Sequence, residues 1–521
     1  MTISNDDHNQ QYATWPADGD DFGIQTDCIP SIELNGLPLC ETPASQPEPV
    51  QRTARQYVLL ALLTVSIGAD MATYSSLTPF FPDEAANRGM MFVQTGITFS
   101  IFELVGLLAT PILGRYISQI GPRLMFASGL FISGAATVSF GSLQWVTNAT
   151  AFFILCLCVR VFQALGSAAS TTAAYTIGGH EFPDRVGTII GILELGAGVG
   201  MCLGPFLGGV LFDAGGFCVP FFGLGGFMLF TTLVAIVVLR SLRKKDSQSH
   251  SIAVRASISR RGTTDTQHSA STNNNNQASV LRLIKIPAVH VQGAAVLVVG
   301  LSMSFLLPTL EPELEHVHNL TSIDVGLMFL PGTVAFSIAG PILGYVCDQW
   351  SAAVPFSMTG GALLAGCACM LMGPTPILHL RNQLWLTGIS LGMIGASAAG
   401  LYMPTYSTTR TLALEHGFPD NMDTYGCVSG YILACFNTGS LFGPLLGAAI
   451  DQRSGFAWAA TWVGLINFFT ALLAVLYFGS KALRSFLHKY QKRQHHFKDN
   501  KQDRMRSNTA QVFFVWSASK Q

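Results

Sequence analysis

Four ionisable side chains stand inside long apolar stretches of this 521-residue chain: Asp70, Glu103, Arg160 and Glu194. A charge at the centre of a bilayer costs at least about 2.5–3.5 kcal/mol on insertion scales, so such residues usually face a cavity or a partner. Three acids and one base leave two formal negative charges when all are ionised. This balance favours a cationic ligand, and two charges suit a diamine or a longer polyamine.

A buried carboxylate can couple two flows because it holds either a proton or an ammonium group, but not both. Asp70 is the candidate on which transport driven by a proton gradient depends most, and its alternative is a local cap or pair. Arg160 either takes part in coupling or only locks helices through an ion pair with Glu194 or Glu103. Glu103 and Glu194 likewise either take part in coupling or have only a structural role.

Three further side chains are candidates at the ends of spans or among aromatic residues. Glu311 follows Pro308 at the end of the seventh span and either attracts cations or simply faces water. Tyr402 and Tyr406 lie one turn apart in the tenth span and flank Pro404. Aromatic rings attract ammonium groups, although packing in the core explains this spacing equally well.

Twelve apolar stretches must position these side chains. Mean hydropathy is +0.41, and charged residues make up 11% of the chain, against about 25% in soluble domains. Each stretch approaches the ~20 residues that cross a bilayer, where only helices satisfy the backbone internally. The predicted spans are 57–81, 92–114, 124–144, 149–179, 186–212, 217–239, 287–307, 322–346, 352–373, 383–409, 425–450 and 457–480.

An internal duplication divides these spans into two sets of six. Gly200–Phe217 reads GMCLGPFLGGVLFDAGGF, and Gly439–Phe456 reads GSLFGPLLGAAIDQRSGF. Earlier in each half, Thr110-Pro-Ile-Leu-Gly114 corresponds to Gly340-Pro-Ile-Leu-Gly344. Duplicated halves around a central site are the arrangement of many secondary transporters. The sequence therefore predicts an all-α membrane protein of two pseudo-symmetric six-helix bundles.

Composition predicts five segments along the chain. Residues 1–51 form a disordered acidic cytoplasmic tail, and 52–240 form the first bundle. Residues 241–283 form a disordered cytoplasmic linker rich in Ser, Thr and Asn. Residues 284–480 form the second bundle, and 481–521 form a basic cytoplasmic tail that can lie against anionic lipid.

Lys and Arg residues predict the orientation in the membrane. With both termini in the cytoplasm, 25 of the 29 Lys and Arg residues fall on that side. The sequons at Asn148 and Asn319 then fall on the opposite side, where glycosylation is possible.

Other classes of protein find little support in the sequence. Cysteine pairs such as Cys156 and Cys158 are too tightly spaced for a metal site, and there is no phosphate-binding glycine loop. We therefore predict no enzyme activity, no cofactor, no metal and no nucleic-acid partner. A monomer in the bilayer is favoured.

Glycines at every fourth residue line one face of the fifth and eleventh spans, a spacing that lets neighbouring helices approach closely. The glycines with this spacing are Gly196, Gly200, Gly204 and Gly208 in the first half, and Gly439, Gly443 and Gly447 in the second. The motif also includes the adjacent Pro205 and Gly209 in the first half and Pro444 in the second. The first-half set resembles the fifth-helix antiporter motif of the major facilitator superfamily. With their Gly-Pro steps, the two helices are expected to act as pivots when the halves rock.

Two more stretches of the sequence resemble motifs of that superfamily. Arg160, Gln163 and Gly166 match its fourth-helix motif, with Ala164 where glycine is usual. The loop motif after the second helix matches at five residues of the two halves, but Ser118 replaces its usual acid. We therefore expect the gate-closing contact of this motif to be weakened in the N-terminal half, whereas the copy in the second half keeps its acid. The matching residues are Gly114, Gly121 and Arg123 in the first half, and Gly344 and Asp348 in the second.

Within the superfamily the chain resembles the vesicular amine transporter family, and most closely its polyamine branch. The resemblance rests on Pro79–Ala85, Ser100–Leu104, Gly191–Glu194, Gly373–His379 and Asn382–Trp385. It implies proton-coupled antiport of an organic cation such as spermidine or spermine, across a secretory vesicle or other membrane. The realistic alternatives are a drug or organic-cation exporter, a uniporter, or a membrane sensor that transports nothing.

Departures from the monoamine branch narrow the expected substrate. That branch has a lysine in helix two, where this chain has Phe102 beside Glu103, and acids in helices ten and eleven, where this chain has Ala399 and Leu433. Asp70 matches the helix-one acid of the family. The resemblance therefore disfavours a monoamine or acetylcholine substrate.

Overall fold

The computed structural model describes residues 54–260, 280–318, 327–373 and 383–480. The predicted tails 1–51 and 481–521, and the sequon residue Asn319, lie outside these ranges. Twelve of the described helices are long and apolar enough to cross a membrane, which confirms the predicted all-α, twelve-span class. They are α1 (Ala54–Ser75), α2 (Phe92–Ile120), α3 (Pro122–Gly141), α4 (Ala149–Glu181), α5 (Val186–Gly215), α6 (Cys218–Arg260), α7 (Pro287–Ser304), α8 (Leu330–Gln349), α9 (Ala353–Met372), α10 (Leu384–Glu415), α11 (Met422–Ser454) and α12 (Phe456–Ser480).

Successive helices run in opposite directions, so their ends alternate between two sides of the bundle. We call the side on which Ala54 lies the N-side, and the opposite side the far side. At one N-side turn, Gly121 has a φ of 90°, which a glycine adopts without strain, and Pro122 then begins α3. Large side chains such as Phe206 and Phe356 are exposed on the bundle surface, as lipid contact requires.

Three boundaries differ from the sequence-based prediction. The first span ends at Ser75, and a separate short helix, Phe81–Asn87, follows it with a proline in its first turn. Helix α6 extends to Arg260, because residues 241–260 contain no Gly or Pro to end it. A second short helix, Val280–Ile284, buries Leu283 in the core. Part of the predicted linker 241–283 is therefore helical.

The duplication is visible in how helices pack within each half. A Cβ on Gly204 of α5 would collide with the hydroxyl of Ser75 on α1, and a Cβ on Gly443 of α11 would collide with that of Ser304 on α7. The same rows of contact continue at Gly196, Gly200 and Gly208 on α5, and at Gly439 and Gly447 on α11. Gly209 has open space instead, and Pro205 and Pro444 lie inside continuous helices.

A second set of close contacts joins the two halves. Gly114 of α2 lies against the backbone of Gly426 on α11, and Gly344 of α8 lies against that of Gly187 on α5. Gly114 and Gly344 are duplicates of each other, so the two crossings are related by the internal symmetry. Both crossings lie near the N-side ends of their helices. The halves therefore close against each other at the N-side.

Two adjacent glycines of α5 give a matched test of this packing. We expect Gly208→Ala to reduce the free energy of unfolding by about 1–3 kcal/mol, because its Cβ would meet the carbonyl of Ser76. Gly209→Ala meets nothing within 4 Å and should be neutral or stabilising by up to about 1 kcal/mol. Thermal unfolding in detergent measures both. Equal melting temperatures for the two variants would contradict the packing.

Candidate functional site

Glu194 lies where α5 meets tyrosines from both halves. The hydroxyl of Tyr175 on α4 donates a hydrogen bond to Oε1 of Glu194. Tyr402 of α10 approaches the same carboxyl group and Tyr175. The ring of Tyr402 also meets Phe436 of α11 edge to face, with centroids 5.9 Å apart. One acid is thus held among aromatic residues contributed by both bundles.

The helical spacing of α5 explains why Glu194 faces the second half. Gly187, Gly191 and Gly198 all lie against α8, and Glu194 falls on the same face of α5 by its spacing of seven, three and four residues from them. The glycines bring the backbones together, whereas Glu194 places a carboxyl group between them. The acid is therefore positioned at the interface of the halves.

Glu103 and Arg160 form a second, separate cluster in the first half. The hydroxyl of Tyr74 on α1 donates to Oε1 of Glu103 on α2 at 3.1 Å. Arg160 is fully buried, and its Nη1 donates to Oε1 of Gln163 at 2.8 Å. Its Nε and Nη2 atoms have no hydrogen-bond partner. The ion pair of Arg160 with Glu103 or Glu194, which the sequence left as an alternative to a coupling role, is not formed, and aromatic rings surround the guanidinium instead.

Asp70 is enclosed within the first half. Its side chain is 3% exposed, and its carboxylate accepts hydrogen bonds from Ser133 of α3 at 2.7 Å and from Ser167 of α4 at 2.5 Å. The structure thus shows the local pairing that the sequence left as an alternative. A part for Asp70 in coupling remains a prediction.

Most of the remaining predicted site residues take part in packing between helices. Tyr406 is buried, and its hydroxyl bonds to Ser429 at 2.6 Å, so it serves the closed N-side rather than an open aromatic surface. Gln163 links Arg160 to Thr137 of α3, and Gly166 packs closely on the same helix. Glu311 belongs to the helix Leu306–His318, but its side chain lies outside the described part of the chain.

Asp348 closes the N-side by capping a helix of the other half. Its carboxylate accepts from the backbone nitrogens of Gly187 at 3.0 Å and Thr188 at 2.6 Å, and from the Thr188 hydroxyl at 2.8 Å. The α5 N-cap residue, Arg185, provides no side-chain cap of its own. Ser407 of α10 adds a fourth bond at 3.2 Å. A carboxylate at a helix N-terminus satisfies free N–H groups and complements the helix dipole.

The equivalent cap in the other half is local. Ser118 stands where the motif usually has its acid, and the N-terminus of α11 uses its own Asn421, whose side chain accepts from the Thr424 nitrogen at 3.1 Å. The expected weakness of the first-half contact is thus offset at this helix end by a different residue. Only the α5–α8 side uses a cap that crosses between halves.

Two further predicted residues, Arg123 of the loop motif and the sequon residue Asn148, lie at the beginnings of helices. Arg123 lies in the first turn of α3, directly after the Gly121-Pro122 turn. Asn148 is the N-cap of α4 on the far side, where its side chain accepts from the Ala151 nitrogen at 3.0 Å. Glycosylation of this asparagine remains a prediction.

Sequence reasoning predicted Tyr402 as a site residue but missed Tyr74 and Tyr175, which donate hydrogen bonds to Glu103 and Glu194. Tyr74 lies one turn after Asp70 on α1, but it turns toward α2, whereas Asp70 turns toward α3 and α4. Tyr175 occurs in an ordinary run of small residues, and no local signal marks it. Only the packing of α4 on α5 brings it to Glu194.

Twelve helices long and apolar enough to span a membrane, an internal duplication and Glu194 at the interface of the halves indicate a membrane transporter of the two-bundle class. The sequence model of the Major Facilitator Superfamily matches residues 60–417. The chain belongs to this superfamily and, within it, to the SLC18 family of vesicular amine transporters. It is therefore a membrane transporter.

Individual relatives cover most of the chain. The MFS-type transporter SLC18B1 of Homo sapiens is 33% identical over 422 residues, 81% of this chain and 86% of that protein. The protein of the same name from Mus musculus is 31% identical over 433 residues, 83% and 88% of the two chains. The synaptic vesicular amine transporter of Homo sapiens is 23% identical over 410 residues, 77% and 70% of the two chains.

Loss of the cross-half cap should loosen the N-terminus of α5. We expect Asp348→Ala to speed amide exchange at Gly187 and Thr188 about 5- to 10-fold, since a helix cap contributes about 1 kcal/mol. Hydrogen–deuterium exchange with mass spectrometry measures this directly. Asp451→Ala, near the far-side end of α11, should leave these amides unchanged. Unaltered exchange in Asp348→Ala would show that the cap does not hold the halves together.

Proposed function

We propose that this protein exchanges protons for an organic cation of the polyamine type. The observation that carries the proposal is Glu194, an acid between the halves that contacts tyrosines of both. A carboxylate and aromatic faces are the two groups that recognise an ammonium ion in apolar surroundings. The names of relatives in the SLC18 family include a vesicular amine transporter, which supports an amine substrate.

In this proposal the amine binds between α4, α5 and α10. Glu194 supplies the charge, and the hydroxyls of Tyr175 and Tyr402 fix the orientation of its carboxyl group. Phe436 closes one side of the Tyr402 ring. The charge balance of the first half, with Asp70, Glu103 and Glu194 against Arg160, favours a ligand with more than one amino group.

Alternating access follows from the way in which the halves meet. The glycine crossings and the Asp348 cap hold the N-side closed. Opening that side requires α5 to leave α8, which carries Glu194 away from Tyr402. Movement at the closed side and a change at the amine site are thus linked through a single helix.

The membrane and its orientation complete the proposal. The N-side faces the cytoplasm, as the distribution of Lys and Arg predicts, and the far side faces the lumen of a vesicle. The higher proton concentration in an acidic lumen would then drive the accumulation of amine there.

Substitution at Glu194 tests the proposed amine site. We expect Glu194→Gln to raise the KM for spermidine about 30-fold or more, because removal of a buried charge partner costs about 2–5 kcal/mol. Proteoliposomes with an imposed pH gradient and radiolabelled spermidine provide the measurement. The matched control is Asp213→Asn, an acid at the far-side end of the same helix, which should leave KM unchanged.

Three outcomes would contradict the proposal. Absence of spermidine uptake by the unmodified protein would exclude this substrate, and a substrate panel that peaks for anions would exclude a cationic one. Uptake that ignores the pH gradient would indicate a uniporter.

A further inference from the structure

Arg160 is a buried cation with vacant donors. Its side chain is 0% exposed, and Nε and Nη2 have no acceptor within hydrogen-bond distance. An unsatisfied charged donor in the interior is strongly unfavourable, and buried guanidinium groups are normally paired. Such a group in a native structure calls for an explanation. An acid that pairs with Arg160 in another state of the protein is one.

Glu103 is the acid within reach. It and Arg160 both contact Tyr74, whose hydroxyl bonds to the Glu103 carboxyl group and whose ring centroid is 5.6 Å from Cζ of Arg160. Phe102, the residue before Glu103, has its ring 5.6 Å from the same Cζ and 4.5 Å from the Tyr74 ring. The acid and the base therefore share one aromatic wall, although no bond joins them.

We propose that Glu103 is the proton-binding residue of the transporter and that Tyr74 and Arg160 hold its carboxyl group in turn. This rests on the proposed exchange of protons for amines. Tyr74 holds the protonated carboxyl, and Arg160 pairs with the ionised one. The proton comes from far-side water, binds the Glu103 carboxylate as the ion pair opens, and later returns to water on the N-side. Arg160 stays charged throughout.

The arrangement in the structure corresponds to the protonated member of this cycle. An ionised carboxylate beside a guanidinium with two vacant donors gains a strong attraction in a low-dielectric interior, so it would pair. Glu103 bonds to the neutral Tyr74 hydroxyl instead. A phenol donates to either protonation state of a carboxyl group, so the vacant donors of Arg160, and not the Tyr74 bond, indicate the protonated member.

Few other groups act on Glu103. Tyr74 approaches it from α1 and Arg160 from α4, where Cys156 also lies near the guanidinium. Asp70 on α1 is a mid-span charge that turns toward α3 and α4, where Ser133 and Ser167 hold it. Other charged residues of the neighbouring helices lie near helix ends, among them Arg123 on α3 and Asp423, Asp451 and Arg453 on α11. Asn437 of α11 reaches Gly106, one turn away, and it is uncharged.

Separate proton and amine sites follow from this assignment. Glu194 is held by Tyr175 and Tyr402, and Glu103 is held by Tyr74, so no side chain is common to the two clusters. Measured from the equivalent crossings at Gly187 and Gly114, Glu194 lies seven residues and Glu103 eleven residues toward the far side. The proton site is thus about 6 Å nearer the far side, at 1.5 Å per residue.

A matched pair of phenol deletions tests the assignment. Tyr74→Phe removes a bond only from the protonated arrangement, so Glu103 should need about a tenfold higher proton concentration to bind its proton. The far-side pH at which spermidine uptake is half-maximal should therefore fall by about one unit, with KM at saturating acid unchanged. Tyr175→Phe should instead raise KM and leave that pH in place. Both variants keep the aromatic ring, which protects the packing.

Infrared difference spectroscopy of the purified protein provides a measurement without transport. Acidification should produce a carboxylic C=O band that Glu103→Gln lacks and that appears at lower pH in Tyr74→Phe. A band that persists in Glu103→Gln, or an unshifted midpoint in Tyr74→Phe, would overturn the assignment. If spermidine uptake fails while the band behaves as expected, the proposed substrate is wrong and the proton site stands.

Discussion

Direct contact between helix backbones at glycines is the constraint on which the rest of this structure depends. In lipid there is little hydrophobic drive to hold helices together, so close packing and polar contacts must do it. Helix α5 satisfies this on two faces. Gly200 and its neighbours in the row face α1, whereas Gly187 and Gly191 face α8. One helix therefore packs both inside its own half and at the boundary between the halves. A side chain on this helix moves when either contact changes.

The four charges near mid-span, Asp70, Glu103, Arg160 and Glu194, all belong to the first half. Two serine hydroxyls hold Asp70, a phenol holds Glu103, and Arg160 relies on one amide and a set of aromatic rings. Near these charges the second half contributes neutral groups, Tyr402 and Asn437 among them. The pseudo-symmetry of the backbone is thus combined with a chemical asymmetry, in which the first half carries the mid-span charges and the second half adds neutral groups to the proposed amine site.

The closed N-side shows the same combination. Related glycine crossings bring the halves together twice, and at one of them Asp348 spans the boundary as a helix cap. At the other crossing, Ser118 replaces the acid and Asn421 caps α11 locally. A hydrogen-bonded carboxylate holds one crossing, whereas backbone packing holds the other. Water can compete for the hydrogen bonds of the carboxylate, so the stability of the first crossing depends more on hydration. Opening the α5–α8 side must break the hydrogen bonds of the Asp348 carboxylate.

The sequence by itself determined the class of the fold and the helix contacts. Twelve apolar stretches dictate helices because lipid offers backbone groups no other partner, and the spacing of Gly200 and Gly204 fixes a face of α5 for close approach. It also identified Glu194 and Arg160, since a charge in an apolar span is visible from composition alone. It predicted that 241–283 is irregular, although the absence of Gly and Pro up to Arg260 already favoured a longer helix.

Only the tertiary structure decided which charges act together. Asp70 and Tyr74 are one turn apart on α1, yet they join different clusters, because α3, α4 and α2 approach that helix from different directions. The sequence could not show that Tyr175 meets Glu194, nor that Arg160 stands unpaired. Periodicity records which face of a helix a residue occupies, whereas the identity of its neighbour depends on the crossing of two helices far apart in the chain.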